Sequence, residues 1–216
     1  MSGASTALPP LCLRASGMKP AERRQQLRDA LIAAAEERIA ADGLSGLRAR
    51  DLARDVGCAL GAIYNVFPDL DALILEVNAR TLAAFAAFIA EKEARPDAGP
   101  TAALTRLATR YLDFAVANQR RWRALFQHRM TDGRPVPDWY REAQTALFVE
   151  IEAPLCELCP DRAEEDRRLL ARSLFSAVHG VVSLGLDEKL VAVPLERLRE
   201  QLREIVTAVG RGLSTA

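Results

Sequence analysis

Apolar residues recur at three- and four-residue spacing along almost the whole chain, and the two-residue alternation of half-buried strands is nearly absent. Leu27, Leu31 and Ala34, with Ile32, Ala35 and Ile39 beside them, form one helical stripe. It follows Pro20, which a first helical turn tolerates, and Glu22, which the helix dipole favours there; Gly43 ends it as a C-cap. A loop over 44–47 leads to a short helix over 48–55, Gly57 breaks the chain, and a second short helix over 59–67 stops at Pro68. Asp69 or Asp71 caps a long helix to about Lys92 carrying Leu73, Val77, Leu82, Phe85 and Phe88. Beyond a break at 95–100, the pattern predicts helices over 101–117, 120–128, 137–158, 162–186 and 195–209. The expected fold class is all-α, with a three-helix head over 18–68 and a larger helical domain over 69–216.

Residues 1–17 hold Pro9-Pro10, small polar residues and no helical period. They lack the basic region and apolar core of a secretory signal and are expected to be a disordered tail. Met18, directly before the first helix, is an alternative translation start. Half of the 216 residues are hydrophobic and 27% are charged, a globular composition. The 29 basic and 29 acidic side chains cancel, which excludes binding nucleic acid through bulk charge but leaves local patches open. No run of 18 apolar residues occurs, so no membrane partner and a cytoplasmic location are expected.

Chemistry-bearing motifs are few. Cys156 and Cys159 form a C-x-x-C, but neither His128 nor His179 has ligand spacing to it, so no zinc site is expected. Phosphate-cradling, zinc-protease and nucleophile-elbow motifs are absent, so neither an enzyme nor a cofactor is expected.

The segment Leu47–Phe67, LRARDLARDVGCALGAIYNVF, has the spacing of a helix-turn-helix. Leu52, Ala53 and Val56 point inward, Gly57 supplies the positive φ of a sharp turn, and Ile63 and Phe67 pin the second helix. Ala59, Leu60, Gly61, Ala62 and Asn65 are then left facing out, where a short helix can enter a major groove. Spacing alone equally allows an ordinary helical corner.

Arg50-Asp51-Leu52-Ala53, Val56-Gly57, Gly61-Ala62-Ile63-Tyr64-Asn65-Val66-Phe67-Pro68-Asp69 and Leu73 together resemble the DNA-binding signature of the TetR family of bacterial transcriptional regulators. The likeness covers roughly 23–80, beginning with Ala34-Ala35 and Gly43. A shorter segment, Ala177-Val178-His179-Gly180 with Leu184-Gly185, resembles a His-Gly element in the regulatory domain of one TetR subgroup. The resemblance implies an all-helical homodimer that binds a palindromic double-stranded DNA operator, with a small-molecule effector in the larger domain. It also implies that Tyr64 reaches a backbone phosphate, that Leu60, Gly61 and Asn65 face bases, and that Arg48 and Arg50 lie by the supporting helix. Ala59, Leu60, Val66 and Leu70 stand where the family often has a hydroxyl, Lys, His and Lys. Over 18–54 eight cations face six anions, so either Lys19, Arg23, Arg24, Arg48 and Arg50 supply the phosphate charge by their placement or operator affinity is modest.

Leu195, Leu198, Leu202, Ile205 and Val209 alternate by three and four like a coiled-coil seam, and Ser173, Ala177, Gly180 and Leu184 add small and apolar positions for close helix approach. Both stripes equally suit the monomer's own core; family habit favours a dimer interface. Phe85, Phe88, Tyr111, Phe114, Trp122, Phe126, His128, Trp139, Phe148, Phe175 and His179 are the candidate ligand-binding residues, each also at home in a plain core. The expected function is a repressor released by a small, largely apolar molecule. The alternatives are a redox sensor using Cys156 and Cys159, or a helical adaptor that binds no DNA.

Overall fold

Pro20 at the first helical position and Glu22, whose carboxylate accepts the Lys19 N–H at 3.2 Å, open α1 (Pro20–Asp42). The computed structural model describes residues 19–91, 98–187 and 193–214. The tail over 1–17 and the start at Met18 lie outside them. Among the described residues every element is helical. After α1 come α2 (Ala49–Val56), α3 (Leu60–Val66), α4 (Leu70–Ala90), α5 (Pro100–Ala117) and α6 (Gln119–Gln127). Then follow α7 (Asp138–Ala146), α8 (Val149–Leu158), α9 (Glu164–Asp187) and α10 (Leu195–Leu213). The chain forms two compact units.

The first unit holds the residues up to Thr81 together with Arg120–Pro135. Its core joins Leu31, Ile32, Ala35 and Ile39 of α1 to Leu52, Ala53 and Val56 of α2 and to Ile63 of α3. Phe67, Leu73 and Val77, with Ala124 of α6, complete it. Gly57 adopts φ 72°, ψ 38°, the left-handed geometry that turns α2 into α3.

The boundary expected at residue 68 is therefore displaced. The first three turns of α4 bury their apolar side in the head, and α6 is fastened there by charge. Glu36 pairs with Arg121 at 2.9 Å and Arg80 at 3.8 Å. Asp71 accepts the Thr131 N–H at 2.8 Å and Arg134 at 3.0 Å. Asp69 caps α4 through the Ala72 N–H at 2.8 Å and also takes Arg134.

The second unit holds Leu82–Gln119 and the residues from Val136 onward. Leu104, Leu107, Ala108, Leu112 and Ala115 of α5 are buried, as are Leu198, Leu202, Val206 and Gly210 of α10. A Cβ at Gly210 would lie 2.7 Å from Thr101, so this glycine lets α10 close on α5. The Arg199–Asp113 pair at 2.6 Å ties the same two helices.

The continuous helix expected over 137–158 is two helices. The break falls at Leu147 and Phe148, where the Phe148 N–H bonds the Thr145 carbonyl at 3.0 Å, a tighter i→i−3 step; Pro154 lies within α8, beyond it.

By length and composition α4 and α9 would be apolar enough to cross a bilayer, a possibility that counting apolar runs had excluded. In α4, however, Leu73 and Val77 are core, Glu76 pairs with Arg28, and Asp71 is anchored to Thr131. Along α9, Arg172, Ser173 and Ser176 are exposed beside buried Ala171, Leu174 and Val178.

Candidate functional site

With Ile63 and Phe67 held in the head core and Val66 packed against it, the other side of α3 is turned to solvent. Ala59, Leu60, Gly61, Tyr64 and Asn65 are exposed and Ala62 is half-buried, with Leu60 at 40% and Tyr64 at 50%. Gly61 has an ordinary helical φ, and a Cβ there would meet nothing within 4 Å. Neither backbone conformation nor packing within the chain calls for glycine at this place.

The eight cations of the head separate into two groups. Arg28 pairs with Glu76 and lies over the Phe67 ring, Arg38 pairs with Asp55, and Arg54 pairs with Asp51 at 2.9 Å. Lys19, Arg23, Arg24, Arg48 and Arg50 are exposed, the last two opening α2. The first group is engaged in ion pairs within the head; the second lies at its surface.

In the second unit seven aromatic rings, all of them candidates above, pack in one chain of contacts that runs from α4 to α9. Phe88 packs on Phe114, Phe114 on Phe85, Phe85 on Tyr111, and Tyr111 on Phe175, with centroids 5.1–5.9 Å apart. Phe148 also meets Phe175, and His179 stacks on it at 5.9 Å. The Tyr111 hydroxyl and His179 Nδ1 share a hydrogen bond of 2.7 Å. Burial pushes the His179 imidazole below its ordinary pKa, favouring the neutral ring. Arg110 closes one end, lying 4.3 Å over Phe88 and bonding Glu91 at 3.0 Å.

Four other candidate ligand residues do not join this cluster. Trp122 is 2% exposed in the first unit, with Phe126 packed on it at 5.6 Å and itself 41% exposed. His128 lies 3.6 Å from Asp71, also in the first unit, and burial lowers its pKa against the opposing pull of Asp71 and Asp69. Trp139, in the second unit, is 43% exposed beside Tyr140. Helical spacing marks such residues as one face of a helix without saying which core that face joins.

The dimer candidates also divide. Leu198 and Leu202 are buried within their own unit, which removes them from any interface. Leu195, Ile205 and Val209 of α10 are exposed, as are Ser173, Ala177 and Leu184 of α9. Gly180 lies on that α9 face with nothing within 4 Å of its missing Cβ.

Cys156 is exposed and Cys159 is buried, both at the carbonyl end of α8. One residue the sequence reading passed over is Asn78, 1% exposed with neither amide atom hydrogen-bonded. Its signal was an amide two turns after Asp71, on the same side of α4.

Residues 104–209 match the family model described as "Tetracyclin repressor-like, C-terminal domain". Those residues, close to half of the chain, are a TetR-family C-terminal domain. No curated protein matches it. Among solved structures, a transcriptional regulator from Rhodococcus sp. RHA1 is 22% identical with a TM-score of 0.65, covering 86% of this chain and 96% of its own. A TetR transcriptional regulator from the same source is 16% identical, with a TM-score of 0.57 and the same coverages. RolR in complex with resorcinol is 15% identical with a TM-score of 0.63, covering 90% of this chain and 95% of RolR. At these identities the likeness shows the TetR fold. TetR-family proteins are DNA-binding regulators rather than enzymes.

Proposed function

We propose that this protein is a cytoplasmic, homodimeric repressor of the TetR family that binds a palindromic operator through its two α3 helices and is released by a small, largely apolar molecule. The observation that carries the reading is the face of α3. It is turned to solvent and bears a glycine that the fold does not use. A helical glycine costs about 1 kcal/mol relative to alanine, and close approach of a duplex offsets that cost. Tyr64 and the exposed cations Arg48 and Arg50 are assigned to phosphates, and Asn65 to a base edge.

The aromatic cluster around Tyr111 and His179 supports an effector site. Its apolar walls suit an apolar guest, and the Tyr111–His179 pair supplies a polar handle for orientation. RolR, of the same fold, binds resorcinol, which makes small aromatic compounds the first to try. The exposed face of α9, with Leu195, Ile205 and Val209 of α10, supports pairing with a second copy. The effector lowers operator affinity only as far as it binds the released arrangement more tightly.

Footprinting on the DNA upstream of its own gene tests the operator reading, with a protected two-fold symmetric site as the expected result. Adding a panel of small aromatics to the complex then tests release. Failure to protect any site would end the repressor assignment, and unchanged protection across the panel would end the effector assignment alone.

A further inference from the structure

The outward face of α3 carries no charged side chain. Guanine is read most often by Arg or Lys at O6 and N7, and cytosine by Asp or Glu at N4. From Ala59 to Asn65 the exposed surface offers instead one amide (Asn65), one phenol (Tyr64) and the aliphatic carbons of Ala59, Leu60 and Ala62. In the major groove an amide matches N6 and N7 of adenine, and aliphatic carbon matches the C5-methyl of thymine.

Leu60 is the largest of these aliphatic groups and is 40% exposed. Beside it, the space around Gly61 is open, so base edges can come against the helix backbone next to the Leu60 side chain. The cations lie elsewhere: Arg48 and Arg50 open α2, while Lys19 and Arg24 flank the start of α1. That arrangement suits phosphates, which position a protein on the duplex without specifying sequence.

We propose that Leu60 is a specificity-determining residue that reads the 5-methyl group of thymine, and that with Asn65 on adenine it confines the contacted core of each half-site to A·T pairs. This rests on the operator-binding reading above. Where a cation on α3 would select guanine, an aliphatic side chain rewards a methyl group and leaves the polar edges of a G·C pair without partners.

The test uses the full chain to select duplexes from a random pool, followed by resynthesis of the selected site with thymines replaced one at a time by uracil. Uracil removes only the methyl group and keeps the base pair. The expected loss is about fourfold per half-site at the contacted thymine, equivalent to about 0.8 kcal/mol for one buried carbon group. The loss should disappear in Leu60→Ala and persist in Leu60→Met, and because Leu60 is exposed both variants should melt like the parent. Uniform affinity for every uracil duplex, unchanged uracil sensitivity in Leu60→Ala, or a G·C core in the contacted positions would each overturn the inference while leaving operator binding intact. Selection of no duplex at all would overturn the operator reading itself, and this inference with it.

Discussion

A Cβ built at Gly185 would lie 2.6 Å from Leu198, and one at Gly210 would lie 2.7 Å from Thr101, whereas at Gly61 and Gly180 it would meet nothing within 4 Å. The first two glycines let neighbouring helices close on each other, so alanine there should be destabilising. At Gly61 the same change should do the opposite. Gly61→Ala is expected to raise the melting temperature by about 2–4 °C from helix propensity alone, while weakening operator binding at least about tenfold; calorimetry and gel shift measure the two effects separately. Unaltered binding would show that nothing approaches the helix there. The two histidines make a second residue-level prediction. An unfolded imidazole takes up its proton near pH 6.5, roughly, but burial delays protonation of folded His128 and His179 to lower pH. The unfolded state therefore binds more protons over that window, and stability should fall as pH drops from about 7 towards 5.5. Thermal melts across that range should show the decline, and His128→Gln with His179→Gln should flatten it.

Helix ends were legible because their punctuation is local: Pro20, Gly43, Gly57 and Asp69 each act within a residue or two of where they stand. The break between α7 and α8 was not, because Leu147 and Phe148 keep right-handed helical backbone angles and no glycine or proline stands there to mark it. The seam on α10 was half legible. Its three-four alternation is real, but periodicity cannot say that Leu198 and Leu202 face their own unit while Ile205 and Val209 face out. The outward face of α3 could be read because fixing Ile63 and Phe67 as core leaves only one side free. The allegiance of α6 could not, since it depends on partners far away in sequence, Glu36 for Arg121 and Asp71 for Thr131. Asp71→Ala should thus loosen the turn after α6 by stranding the Thr131 N–H, with Arg134 left to Asp69 alone, at a cost of about 1–3 kcal/mol. Hydrogen exchange should show the change at 128–134. Unchanged protection there would mean that apolar packing alone seats the turn.

Over the whole molecule, the exposed parts of α9 and α10 separate assembly from folding. Leu184→Asp is expected to leave the melting temperature of the isolated chain nearly unchanged yet give a monomer in light scattering, with operator affinity falling accordingly. Leu198→Ala should instead cost about 2–5 kcal/mol as a core cavity, whatever the state of assembly. If Leu184→Asp remained a dimer, the pairing surface would have to lie elsewhere. The membership of Arg120–Pro135 in the first unit has a practical corollary for dissecting the protein. A single cut in the gene cannot yield a self-sufficient reader. A fragment stopped at Thr81 would lose Ala124 from its core and the Asp71 anchor, so any minimal version must graft the later segment back by a short connector.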